Sequence, residues 1–270
     1  MGERDDVRTR FRTALDTIGH GLHYTRHLVR GNRIAMERAV VQAQLPPVIL
    51  VHGFLGTRGT MLPLTQRLQA EGRAVFSYSH GTFQTASLRQ SAMMLARRIR
   101  RICEDLGVDK VDVIGFSMGG LVALHAIKFM QSDRHVRRLV TLGSPFDGTW
   151  LAVAGVATLG AISASVWQVL PGARFLRELK EAPMPPRVKV RQIHGNTDNI
   201  APVPARLEGV AARDCIILPG GHSTLVVADY AYEAIREFIF HPPGHERGDP
   251  PPSPVPTTSV AYNADLAFAE

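Results

Sequence analysis

The chain's pattern predicts an α/β fold: a mostly parallel sheet with helices on both faces. Two observations carry this. From residue 46, short apolar runs of strand length alternate with longer amphipathic segments of helical period. The apolar runs do not alternate with polar residues, so both faces of the sheet are covered, as parallel sheets require. Right-handed crossovers then set every strand C-terminus along one edge, where ligands of such sheets bind.

In chain order, residues 1–45 read as an N-terminal helical arm. Val7, Phe11, Leu15 and Ile18 fall at helical spacing, and Gly19 and Gly21 break the pattern. A second helical stretch runs from about Leu22 to Val41. The arm is expected to pack on the main domain or to contact a membrane surface or a partner. His20, His23 and His27 share a helical face, but no acid or thiol stands beside them, so no metal site is assigned. Residues 46–240 form the main domain. Its expected strands are 47–52, 73–79, 111–116, the VRRLVTLGSP segment, 188–195 and 213–218. Its expected helices are 60–71, 87–106, 118–130 and 227–240. Residues 241–270 carry HPPGHERGDPPPSPVP, whose seven prolines cannot pack a core. They read as a proline-rich disordered tail.

Composition sets the outer bounds. A hydrophobic fraction of 45% with 20% charged residues is that of a globular protein with a sizeable core. The net charge is +7, but no basic run is interleaved with aromatics, so nucleic acid is not an expected partner. Two cysteines, Cys103 and Cys215, make neither a disulfide framework nor a metal motif. They suit a reducing compartment. The charged N-terminus MGERDDVRTRFRTALD lacks a signal-type apolar stretch, and the expectation is a cytoplasmic protein, with membrane association left to the arm or a cap.

Chemistry enters at VDVIGFSMGGL, residues 111–121. Gly115-Phe116-Ser117-Met118-Gly119 fits G-x-S-x-G between a strand and a helix. A serine in so tight a turn takes a strained backbone angle. Its neighbours two residues away pass too close for a Cβ, hence Gly115 and Gly119. The hydroxyl then stands above the sheet edge, over a helix N-terminus that favours a developing anion. A serine hydroxyl needs a base. His222, in the glycine-flanked IILPGGHSTL, lies in a loop after the last strand. His194 lies inside a strand, His125 is two helical turns past Ser117, and His241 and His245 open the tail. Asp198, in HGNTDNIAPVP just past a strand end, is the expected acid, with Asp147 as its rival. An acyl-transfer oxyanion needs two N–H donors. Met118 N–H follows the serine, and Phe54 N–H comes from the VHGFLG loop after the first strand.

Together VHGFLG, GFSMGG, GSPFDGT, GNTDNIAP and GGHS resemble the α/β-hydrolases of the bacterial lipase and esterase kind, over about residues 46–240. The resemblance implies a Ser117–Asp198–His222 triad with Phe54 and Met118 as oxyanion donors, and neither metal nor organic cofactor. It also implies an ester or lipid substrate. No secretion signal and no clear first two strands of that family are found in residues 1–45. WLAVAGVATLGAISASVWQVL, Trp150 to Leu170, carries no charge. It falls between two sheet strands and is expected in a helical cap, about 147–186, inserted after the strand ending near Gly143. The competing expectation is a non-catalytic scaffold, or an acyltransferase, on the same fold. Oligomeric state is not legible.

Overall fold

The structure is a computed structural model that describes residues 39–41, 45–54, 56, 58–78, 87–150, 152, 163–240 and 260–262. Six strands make one sheet: β1 (Val48–Val51), β2 (Val75–Tyr78), β3 (Val111–Phe116), β4 (Val136–Leu142), β5 (Lys189–Gly195) and β6 (Cys215–Leu218). Their spatial order is β2-β1-β3-β4-β5-β6, and every pair is parallel. β1 and β3 are buried along their whole length. That burial is why their sequences are continuous apolar runs.

Two helical layers cover the sheet. On one face lie α2 (Leu88–Leu106) and α3 (Met118–Phe129), with Leu95, Ile99, Leu121 and Leu124 in the core. On the other lie α1 (Leu62–Ala70), α6 (Thr224–Val227) and α7 (Asp229–Phe240), burying Leu64, Leu68, Leu225 and Ile235. α2 stops where Gly107 turns left-handed, φ 61°, a backbone angle that suits glycine. α3 is apolar nearly all round and buried from Met118 to Ile127, as a central helix must be. The chain passes from β1 out to β2, returns across β1 to β3, and then moves steadily through β4, β5 and β6. The reversal puts the switch point between the C-terminal ends of β1 and β3.

Between β4 and β5 the chain builds α4 (Ala164–Gln168) and α5 (Arg174–Glu181). Phe175, Leu176 and Leu179 bury in the α2–α3 layer. Gln168 accepts the Leu88 N–H at 2.6 Å, Arg89 pairs with Glu178, and Lys128 Nζ donates to the Leu179 carbonyl at 2.9 Å. Much of the apolar stretch between Trp150 and Ser163 lies outside the described residues. Among the described residues, no helix is long and apolar enough to cross a membrane.

The far edge of the sheet is tied by charge. Asp112, at the start of β3, is fully buried and accepts Arg73 Nη2 and Arg137 Nη2, each at 2.6 Å. Arg137 and Arg138 each donate to the Ile239 carbonyl at 2.9 Å. That carbonyl belongs to the last turn of α7, the negative end of its dipole.

The elements match the sequence expectation to within about two residues at most ends. The differences are small and local: β1, β2 and β6 are shorter, and α7 is preceded by the separate turn α6. Residues Ala39–Val41 and Val260–Tyr262 pair as a two-stranded antiparallel sheet. These six are extended where the sequence suggested helix and irregular tail. The remainder of the arm and tail, with His20, His23, His27, His241 and His245, lies outside the described residues.

Candidate active site

Ser117 sits at the switch point, between β3 and α3, with φ 55° and ψ −126°. It is one of two non-glycine residues with positive φ among those described. Few L-residues tolerate that backbone, and the strain needs a site that over-determines it. The constraints are visible. Ser117 N–H donates to the Leu142 carbonyl at 2.8 Å, and Gly120 N–H donates to the Ser117 carbonyl at 3.1 Å. A Cβ at Gly115 would lie 2.5 Å from Gly120 Cα, and one at Gly119 would lie 2.1 Å from the Val51 oxygen. Both glycines are therefore required by backbone packing.

The loop after β1 presses on the serine. A Cβ at Gly53 would stand 2.7 Å from Ser117 Cβ and 3.3 Å from Ser117 Oγ. Gly53 thus does more than shape a turn: its bareness lets the VHGFLG backbone reach Ser117. Phe54, half-buried, follows directly. Met118 opens α3 and is buried. His52 is buried, with Nδ1 at 2.9 Å from the Gly53 carbonyl.

Asp198 and His222 meet. Asp198 Oδ2 and His222 Nδ1 are 2.7 Å apart, with the Asp198 side chain fully buried and the His222 side chain 12% exposed. Asp198 Oδ1 accepts the N–H groups of Ile200 at 2.9 Å and Ala201 at 2.8 Å. The acid is thus fixed from both sides. Its loop is laced to the histidine loop: Asn196 N–H donates to Leu218 O at 2.9 Å, and Gly220 N–H to Asn196 Oδ1 at 3.0 Å. The His222 ring packs on the Phe116 ring, centroids 4.6 Å apart, which sets the imidazole beside the residue preceding the serine.

Asp147, the rival acid, is engaged elsewhere. Its carboxylate takes Lys180 Nζ at 2.5 Å and the Ala205 N–H at 3.0 Å. Burial works to raise its pKa, but these two donors hold it below the ordinary value. His194 and His125 are buried, and burial lowers each pKa to about 4. Asp198 acts against that shift at His194. His125 is stacked on the Phe175 ring at 5.2 Å. Among the described residues, no group of three His, Cys, Asp or Glu side chains is arranged around a metal-sized space.

Gly143, just past β4, is a site residue that sequence reasoning missed. Its φ is 54°, and a Cβ there would lie 3.0 Å from both Asp198 Oδ2 and His222 Nδ1. A side chain would wedge into the pair. The signal in sequence was a glycine directly at a strand end, in TLGSP.

A family model of the alpha/beta hydrolase fold matches residues 46–159. Solved structures agree. A lipase from Bacillus licheniformis in mature form aligns at TM-score 0.60 and 15% identity, covering 77% of this chain and 96% of that one. Its propeptide form aligns at 0.51 and 22%, covering 57% of this chain and 36% of that one. Lipase B from Aspergillus fumigatus aligns at 0.58 and 19%, covering 74% and 54%. A monoacylglycerol lipase from Paleococcus ferrophilus aligns at 0.52 and 21%, covering 76% and 98%. The chain thus spans about a third of the propeptide form and half of the Aspergillus lipase. Identities this low speak for the fold, and with the strand order and the family match they make this chain an α/β-hydrolase-fold protein.

Proposed function

We propose that the protein is a serine hydrolase that cleaves carboxylic esters of apolar acyl chains, in the manner of lipases and esterases. The observation that carries it is one edge of one sheet. A serine held at φ 55° ends β3, and an Asp198–His222 pair at 2.7 Å stands beside Phe116 at that same edge.

Ser117 Oγ attacks the ester carbonyl while His222 Nε2 takes its proton. Asp198 fixes the ring through Nδ1 and stabilises the imidazolium. The tetrahedral oxygen is held by the N–H groups of Phe54 and Met118, each worth about 3 kcal/mol to the transition state. His222 then protonates the leaving alcohol. Water, deprotonated by His222, releases the acid from the acyl-enzyme. No metal or organic cofactor has a step here.

Apolar substrate is supported at the rim. Thr149 Oγ1 donates to the Ile200 carbonyl, which joins the start of the cap to the acid loop. Trp150 there is 75% exposed, and Ile200 and Val203 are each 41% exposed. The solved lipases of like fold support the same class. A cytoplasmic location accords with Cys103 and Cys215 being free thiols. Contact with lipid surfaces is assigned to residues 1–45 or the cap. Flotation of the full chain with liposomes, against a chain starting at Gln44, separates the two.

The test is direct. A fluorophosphonate probe labels the native protein and not Ser117→Ala, and p-nitrophenyl esters are cleaved faster as the acyl chain lengthens. A folded native protein that takes no label refutes the hydrolase and leaves the scaffold reading.

A further inference from the structure

Four buried polar side chains come together at the C-terminal end of β4 and β5, on the α2–α3 side of the sheet and in the segment leading to the acid loop. Thr141 of β4 and Gln192 of β5 are register partners. They share the face of Leu139 and Val190, which stand two residues earlier in the same register and belong to that core. His194 follows Gln192 on that face. Ser144 comes just past β4: the Cβ position at Gly120 is 2.0 Å from Ser144 Oγ and 3.2 Å from Thr141 Cβ. All four residues are at most 0% exposed. Thr141 Oγ1, Ser144 Oγ, Gln192 Nε2 and both ring nitrogens of His194 find no hydrogen-bond partner among the described residues. Five such atoms left bare would be costly, because each would lose its hydration on burial without gaining a partner. Buried polar groups of this kind are satisfied by ordered water.

We propose that Thr141, Ser144, Gln192 and His194 enclose ordered water, and that this hydrated cluster, through His194, positions the Asp198 loop and tunes the Asp198–His222 pair. His194 is a positioning residue. It lies four residues before Asp198, within electrostatic reach of its carboxylate. Ile217 is its register partner on β6. Its ring stays neutral near pH 7, because burial lowers its pKa to about 4. It therefore acts by hydrogen bonding rather than by charge. Donors directed through water to a carboxylate weaken it as a base. Asp198 then holds the His222 imidazolium less strongly.

The catalytic part of this inference rests on the triad proposed above, so its test reads His222 directly. NMR titration of the imidazoles, in a Ser117→Ala background, compares wild-type surroundings with His194→Phe, His194→Gln and the double variant Thr141→Val/Ser144→Ala. His194→Phe and the double variant raise the His222 pKa by about 0.5–1 unit. His194→Gln, which keeps a donor and an acceptor, restores most of the difference. In the active protein the acid limb of kcat/KM moves up equally. A crystal structure shows water within hydrogen-bond distance of His194 and the hydroxyls. If His194→Phe does not fold, the double variant carries the same decision. An unchanged His222 pKa in the folded variants, or a dry cluster, overturns the inference. Fluorophosphonate labelling tells the two apart: labelling without a His222 shift removes this cluster's role alone.

Discussion

The backbone at Ser117 should be measurable as stored energy. A non-glycine residue at φ 55°, ψ −126° lies outside the common wells and costs about 1–3 kcal/mol. Glycine there releases that strain but gives the unfolded chain back about 0.4–1 kcal/mol of freedom. Ser117→Gly should therefore be more stable than Ser117→Ala by about 0.5–2 kcal/mol. The alanine variant is the right reference, because it loses the hydroxyl and keeps the Cβ. Urea unfolding of the two variants gives the difference, and a thermal midpoint should move by about 2–4 °C per kcal/mol. Both variants are inactive, so the comparison owes nothing to substrate. A glycine variant equal to or less stable than the alanine variant would refute the idea that this turn is held against its own preference.

Asp198→Asn keeps an acceptor for the Ile200 and Ala201 N–H groups, so stability changes little, while kcat/KM falls about 10⁴-fold as the imidazole loses its orienting charge. Titrating ester hydrolysis beside urea midpoints separates these effects. Asp112→Asn strips the charge facing Arg73, whose side chain is fully buried, and should cost about 3–5 kcal/mol in urea unfolding. His125 and His194 stay neutral in the native protein down to about pH 4, whereas the unfolded chain takes up protons below about pH 6.5. Their stabilisation is whole above that pH and is lost as pH falls from 6.5 toward 4, on the order of 3 kcal/mol per histidine. Urea midpoints from pH 7 to 4.5 should show the slope, and His125→Leu should flatten it.

What could be read from sequence divides by how local its cause is. The six strands were legible because complete burial turns a strand into a continuous apolar run, as in VILV and VDVIGF. Ser117 was legible because its strain demands glycine at two neighbouring positions. Asp198 and Asp147 were harder to separate, since each follows a strand end. Geometry that joins residues far apart divides them: Lys180 takes Asp147, while the Asn196–Gly220 bond brings the Asp198 loop to His222. The reason for a glycine at 143, as distinct from its place at a strand end, was hidden on the same ground. What crowds it are side chains from two other loops. The water-seeking cluster could not be read either, because Thr141 and Gln192 become neighbours only through the β4–β5 register.

β3 connects the two ends of this account. At one end Asp112 is clamped between Arg73 and Arg137, with Arg137 and Arg138 also holding the end of α7. At the other, five residues past Asp112, Ser117 is bent out of its preferred backbone. A strained turn persists only if the strand beneath it cannot slide or twist to relax. The buried ion pair is poor evidence of net stability by itself. Its value here is positional: sliding β3 by one residue would pull a carboxylate away from two guanidiniums and turn every core side chain to the wrong face. The charges at the bottom of the sheet thus hold the serine at the top in place. In the Asp112→Asn protein, the loss of serine reactivity should therefore exceed what the unfolded fraction accounts for.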